Sequence, residues 1–247
     1  MNDLIIDRNY KLGDQGGKVK LIQEWLCLNG FLTKIDGDFG PAMDRSVRMF
    51  QAREGLLVDG DVGNNTFARL IAPIAKARSP IAPSVGLDSL GSLIVAYARQ
   101  HLEQHPREVG GQNRGPWVRL YMGGNEGDAW AWCAGFAMYC VRQACQALGI
   151  PASIESSYSC DELARRASAA GLLLDDISAQ SGGIHPGSLF LVRRTATDWT
   201  HVGIVTHVAD GAFDTIEGNT NDEGSREGYE VCARVRGFKD KDFIVWR

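Results

Sequence analysis

The chain contains no run approaching the roughly 20 apolar residues that a bilayer-spanning helix needs, so it does not read as a membrane-inserted protein. Its opening residues, MNDLIIDRNYKLGDQGG, lack a basic segment, a long apolar core and a small-residue cleavage site. Synthesis in the cytoplasm without a signal peptide is therefore the expectation. Cysteines are few, at positions 27, 133, 140, 145, 160 and 232, with no C-x-x-C pair and no zinc-ligand spacing. That pattern argues for reduced thiols and against a disulfide framework. Positive charge is not in excess either: 26 Lys and Arg stand against 30 Asp and Glu, a net of −4. Broad attraction to nucleic acid or to an anionic membrane is not expected. Divided at residue 78, the chain carries a net of +1 before and −5 after, so neither part is a polycation.

What is present begins with an internal repeat. DGDFGPAMDRSV at 36–47 and DGDVGNNTFARL at 59–70 superpose on a shift of 23 residues. In each copy an Asp-Gly turn precedes a second glycine and then a helix, and glycine supplies the positive φ that such turns need. Pro41 suits the first position of one helix, and Asn64 or Asn65 is placed to cap the other. An earlier helix starts near Lys18, with Val19, Ile22, Trp25 and Leu26 on one face and Gly30 as its stop. Met43, Val47 and Phe50 form a second stripe; Phe67, Leu70 and Ile71 form a third. The expected N-terminal domain is a three-helix unit over residues 1–72, small for independent folding. A Pro, Ala and Ser-rich stretch, residues 73–88, reads as a semi-stiff linker.

Residues 89–247 change character along their length. Ser89 or Asp88 can cap a helix that buries Leu90, Leu93, Ile94 and Tyr97. Cys133, Phe136, Ala137, Cys140, Val141, Ala144 and Leu148 recur at helical spacing, and Ser159 to Glu162 reads as a capping box for a further helix ending at Gly171. Strand patterns follow: GSLFLVR, THVGIVTHV, FDTIEGN, YEVCARVR and FIVW. Helices first and an antiparallel sheet after predict an α+β domain.

Cys133 is the candidate nucleophile because it occupies the first turn of its helix, where unpaired N–H groups and the helix dipole stabilise a thiolate and an oxyanion. The other five cysteines read as small core residues. A three-residue loop, Ala209-Asp210-Gly211, with a G1 bulge would set Val208 opposite Ala212, Gly203 opposite Glu217 and His201 opposite Asn219. In that register His201, Glu217 and Asn219 share one face, with Asn219 directly opposite the imidazole and Glu217 diagonal at roughly 7–8 Å. Gly203 leaves room for the carboxylate. A two-residue loop would instead send His201 and Glu217 to opposite faces. His207 lies about 20 Å further along the strand; it, His185, His101 and His105 read as structural or surface residues.

Two resemblances rest on these residues. GGKVKLIQEWLCLNGF, the paired D-G-x-x-G turns and SVRMFQ followed by GL resemble the peptidoglycan-binding type 1 domain. WCAGF, HVGIV and IEGN, in that order, resemble the CHAP family of cysteine, histidine-dependent amidohydrolases and peptidases, a branch of the papain-like fold, over about residues 90–247. E-x-G-G-x-N-R-G, Glu108 to Gly115, is also similar to bacterial and phage amidases of this group. The resemblance implies a papain-like α+β domain with Cys133 as nucleophile, His201 as general base and acid, Glu217 as imidazole orienter and Asn219 as an accessory polar residue. It implies no cofactor. Some phage relatives bind calcium before the cysteine, but GGNEGDAWAW has no D-x-D pattern and no metal is expected. The implied partner is cell-wall peptidoglycan, with no nucleic acid and no membrane insertion. The expected activity is hydrolysis of a peptidoglycan amide, by an N-acetylmuramoyl-L-alanine amidase or a stem-peptide endopeptidase. The expected place of action is the cell envelope, after release of a phage endolysin or delivery of a bacteriolytic toxin. A holin, secretion machine or immunity protein is not readable from these residues. A catalytically inactive wall-binding protein and a thiol amidase acting on a soluble peptide conjugate are the alternatives.

Overall fold

Val19, Ile22, Trp25 and Leu26 are buried along one side of α1 (Gly17–Leu28), which packs against α2 (Pro41–Arg53) and α3 (Asn64–Leu70). A short α4 (Ala72–Ala77) follows. The computed structural model describes residues 2–221 and 228–246. Its contacts divide the chain into two units, residues 1–76 with 107–127 and residues 77–106 with 128–247.

In the first unit the repeat seen in the sequence is a repeat of mechanism. Gln23 Nε2 donates to Asp36 Oδ1 at 2.9 Å and to the Asp38 carbonyl, while its Oε1 accepts from the Asp36 and Gly37 N–H groups. Gln51 treats the second turn alike: Nε2 donates to Asp59 Oδ1 at 2.8 Å and to the Asp61 carbonyl, and Oε1 accepts from Gly60 N–H. Each glutamine is almost fully buried, so each turn is clasped by a polar side chain whose own hydrogen bonds are thereby met. Gly37 and Gly60 have φ of 80° and 79°, as the turn type requires. Pro41 opens α2 as expected, but Gly63 is the N-cap of α3 and makes no side-chain cap, so neither Asn64 nor Asn65 caps it.

The division of the chain differs from the expected 1–72, 73–88 and 89–247. Residues 107–127, expected within the 89–247 domain, belong to the first unit, where they form α6 (Pro116–Tyr121). Trp117 meets Trp25 edge-on at 6.3 Å. The Arg119 guanidinium is bonded to Glu24, Asp3 and Glu126. Two fully buried indoles and a shielded ion cluster outweigh chain proximity in deciding where this segment packs. The stretch read as a linker is also tied down. Gln100 donates to the Ala77 and Ser79 carbonyls, Gln143 donates to Ala77, and Tyr97 Oη accepts from Ile81 N–H.

The second unit is an α+β domain. Its longer helices are α5 (Leu90–Leu102), α7 (Cys133–Leu148) and α8 (Cys160–Ala169). Its strands are β1 (Leu173–Leu174), β2 (Leu189–Thr195), β3 (Asp198–Ala209), β4 (Ala212–Thr220), β5 (Glu230–Gly237) and β6 (Lys241–Ile244). They form one antiparallel sheet in the order β1-β6-β2-β3-β4-β5. Ser89 caps α5 in a reciprocal box with Ser92. Ser159 caps α8 at Glu162 N–H, but the Glu162 carboxylate turns to Arg165 and Arg166 instead of closing the box. Helices α5 and α7 pack together, and α7 lies on β3 and β4. A second core of Ala179, Ile184, Phe190, Val205, Phe213, Phe238 and Phe243 supports the sheet. Among the described residues no helix is long and apolar enough to cross a membrane.

The β3–β4 hairpin reaches the expected register by another route. Ala209 pairs with Ala212, so Asp210-Gly211 is a two-residue turn rather than a three-residue loop. Between Val205 and His207 the register then shifts by one residue, and Ile204 pairs with Ile216 and Val205 with Thr215. The bulge cancels the inversion that the short turn would impose. His201 and Glu217 are consequently on the same side.

Candidate active site

Cys133 is the first residue of α7 and Cys160 the first of α8, and their sulfurs lie 3.9 Å apart. Both are shielded, with exposures of 5% and 8%. The sequence offered no signal for this pairing, because 27 residues separate the two and each alone looks like a small core residue. His201, on β3, bonds Glu217 Oε2 through Nε2 at 2.8 Å, and its influence reaches the Cys133 thiol, whose pKa it helps to lower. Placement of the histidine depends on a close approach. A Cβ on Gly203 would lie 2.6 Å from a Phe190 ring carbon and 2.7 Å from Glu217 Cγ. On the other side of β4, a Cβ on Gly218 would lie 2.7 Å from Phe136 Cβ, so this glycine lets the strand press against the cysteine helix.

Glu217 is fully buried, and four hydrogen bonds hold it. Besides His201, Arg236 donates from Nε to Oε1 at 2.8 Å and from Nη2 to Oε2 at 2.6 Å, and Thr215 Oγ1 donates to Oε1 at 2.6 Å. The Arg236 guanidinium also lies 5.8 Å from the Phe190 ring centroid. Neither Arg236 nor Thr215 was singled out from the sequence, although Thr215 sits two residues before Glu217 and so faces the same way. Asn219 lies apart from this set. Its φ is 53°, the β4–β5 register shifts beside it, and its Oδ1 accepts from Trp132 N–H at 3.4 Å. The residue expected opposite the imidazole thus fixes the N-cap of the cysteine helix instead, and Glu217 provides the orienting bond.

The electrostatics follow from these contacts. Hydrogen bonding from Cys160 lowers the Cys133 pKa well below the ordinary thiol range; burial opposes this, and His201 and the Val202 backbone add to it. The Cys160 thiol is driven the other way by its bond to Cys133 and by burial. Burial disfavours an imidazolium at His201, but hydrogen bonds to Cys133 and Glu217 outweigh it and raise the pKa to about 9. Burial likewise disfavours the Glu217 carboxylate, and Arg236 and His201 overcome it, holding the pKa at about 2. Both shifts run in the direction that favours a thiolate beside an imidazolium.

A groove of about 1180 Å³ is lined by residues that include Ser159, Asp161, Arg165, Arg193 and Trp199; Cys133, His201 and Glu217 are not among them. It is flanked by the residues on either side of Cys160 and by Trp199, two positions before His201. Asp161 fixes one wall by accepting from Trp199 N–H at 2.6 Å. Among the other histidines, His101 is buried against Gln143 at 2.8 Å, and burial lowers its pKa to about 4. It is a neutral structural residue. Among the described residues no group of three or more His, Cys, Asp and Glu side chains is arranged to hold a metal ion.

Comparison with known families agrees with the two-part reading. Residues 15–70 match the family of the putative peptidoglycan binding domain, and residues 123–219 match the CHAP domain. The two matches fall in that order along the chain. A solved structure described as the crystal structure of SleB N-terminal domain is 35% identical over 28% of this chain and 94% of its own length, with a TM-score of 0.27. No curated protein matches the chain. The two domain matches support a peptidoglycan-binding hydrolase of the amidase or peptidase kind.

Proposed function

We propose that this chain hydrolyses an amide bond of peptidoglycan with Cys133 as nucleophile, and that its N-terminal module holds it on the wall. The observation that carries the reading is the set of hydrogen bonds that joins His201 to a buried Glu217 clamped by Arg236, together with a Cys133 thiol whose pKa is lowered in part by His201. The Cys133 thiolate attacks the amide carbonyl, and the carbonyl electrons move onto oxygen. The first N–H groups of α7, which have no intrahelical acceptor, face the negative charge that develops there. As the C–N bond breaks, the His201 imidazolium gives its proton to the departing amine. A water molecule, deprotonated by His201, then attacks the thioester carbon and releases the carboxylate and the thiolate.

Glu217 holds the imidazole through Nε2 and stabilises its positive charge; Arg236 keeps Glu217 ionised, and Thr215 helps to hold it in place. Asn219 acts as a positioning residue by holding the residue that precedes Cys133. Tethering by the first module raises the local concentration of the catalytic unit on an insoluble polymer, a gain that a soluble peptide conjugate would not offer. Release as an endolysin and delivery as a bacteriolytic toxin both fit this chemistry.

Mass analysis of fragments released from purified cell walls tests the reading. Each cut is expected to produce one new amino group and one new carboxylate, at the lactyl group if the muramoyl–alanine bond is cut and within the stem peptide otherwise. Walls that bind the protein yet yield no such termini would leave an inactive binding protein as the correct account.

A further inference from the structure

We propose that Cys133 and Cys160 are a reversible redox pair, in which Cys160 captures an oxidised Cys133 as a disulfide. The inhibitory consequence rests on Cys133 being the nucleophile, whereas formation of the bond does not. The geometry is specific to these two thiols. Each begins a helix, each is shielded, and their sulfurs are in contact at 3.9 Å. A disulfide needs about 2.05 Å, so the two sulfurs must close the remaining gap for the bond to form. Cys27 instead donates to the Thr33 carbonyl in the first unit, and burial pushes the Cys140 and Cys145 thiols up, away from reactivity.

The co-reactant is hydrogen peroxide, small enough to reach a sulfur of low exposure. The Cys133 thiolate attacks the peroxide O–O bond. Its sulfur gains a hydroxyl as a sulfenic acid, and the second oxygen leaves as water after taking up a proton. The Cys160 sulfur then attacks the Cys133 sulfur. The S–O bond breaks, and the hydroxyl departs as water with the Cys160 proton, for which His201 is the neighbouring carrier. Peroxide has accepted two electrons and the two thiols have lost them. A dithiol reverses the step by returning two electrons and two protons and becoming a disulfide itself. Without Cys160 the sulfenic acid remains open to further peroxide and passes to sulfinic acid, which thiols do not reduce.

The test uses the full reduced chain, treated with hydrogen peroxide, blocked with an alkylating agent and digested without reduction. Trypsin followed by chymotrypsin, cutting after Phe136 or Tyr139 and after Tyr158, separates Cys133 from Cys140 and Cys145 from Cys160. The expected result is a linked peptide pair holding Cys133 and Cys160 and the loss of two of the six thiols. Wall lysis should disappear in parallel and return in full with dithiothreitol. In Cys160→Ala and Cys160→Ser, whatever their starting rates, Cys133 should gain two oxygen atoms and dithiothreitol should restore nothing. Sulfinic acid at Cys133 of the native chain with no linked pair, or a link to a different cysteine, would overturn the proposal. A chain that forms the link but never lyses walls would retain the redox pair and refute the hydrolase reading alone.

Discussion

Replacing Arg236 with Met keeps most of the apolar stem and removes the guanidinium, which isolates the energetic role of the Glu217 clamp. Glu217 is fully buried and receives two of its four hydrogen bonds from this one side chain. Removing one partner of a buried pair costs about 3–5 kcal/mol. Arg236 is 24% exposed, so water can follow into the vacated space and the lower end, about 3 kcal/mol, is expected. For a chain of this size that corresponds to a fall in Tm of roughly 6–12 °C. Urea unfolding of the native chain, Arg236→Met, Glu217→Gln and the double variant measures it. The double variant should lose less than the two single losses combined, because Glu217→Gln removes the charge that Arg236→Met leaves stranded. Additive losses, or an Arg236→Met loss below about 0.5 kcal/mol, would refute the clamp.

The rate of wall lysis should follow a bell in pH. Its acid limb marks protonation of the Cys133 thiolate, below the range of an ordinary thiol. Its alkaline limb marks loss of the His201 proton as pH passes about 9, and a rate still climbing beyond that would contradict the assigned acid. Gly203→Ala should destabilise the fold by about 1–3 kcal/mol and depress kcat more than KM. Its new methyl collides with Phe190 and Glu217, so unchanged kinetics would argue against that positioning. His101 should make the chain acid-sensitive. Its folded pKa of about 4 lies below the ordinary 6.5, so the unfolded chain binds more protons between those values and stability falls as pH drops through them. The loss is about 3 kcal/mol at its fullest; a flat denaturation midpoint from pH 6.5 to 4 would mean that His101 is not buried as described.

The helices and strands were legible because their stripes and caps are local. Val19 to Leu26, Met43 to Phe50 and Cys133 to Leu148 are each a single periodic signal. Cys133, His201 and Glu217 of the candidate site could be named from the sequence, but not how they are wired together. The alternation of His201, Gly203, Glu217 and Asn219 pointed to a shared face, yet the turn that was inferred to produce it is absent. A short turn and a bulge before His207 give the same register, and bulges leave little trace in a single strand's pattern. Arg236 and Cys160 escaped notice because their roles depend on which strand or helix start lies next to them in space. Residues 107–127 misled for the opposite reason: their closeness in sequence to Cys133 carried no information about the packing of Trp117 on Trp25.

The most direct measurement compares the native chain with Cys133→Ala on purified cell walls, following turbidity and new amino groups while wall binding is measured by co-sedimentation. The account predicts that the variant binds as the native chain does and releases no amino groups, since a single sulfur carries the attack. Continued release by Cys133→Ala would contradict the thiol mechanism.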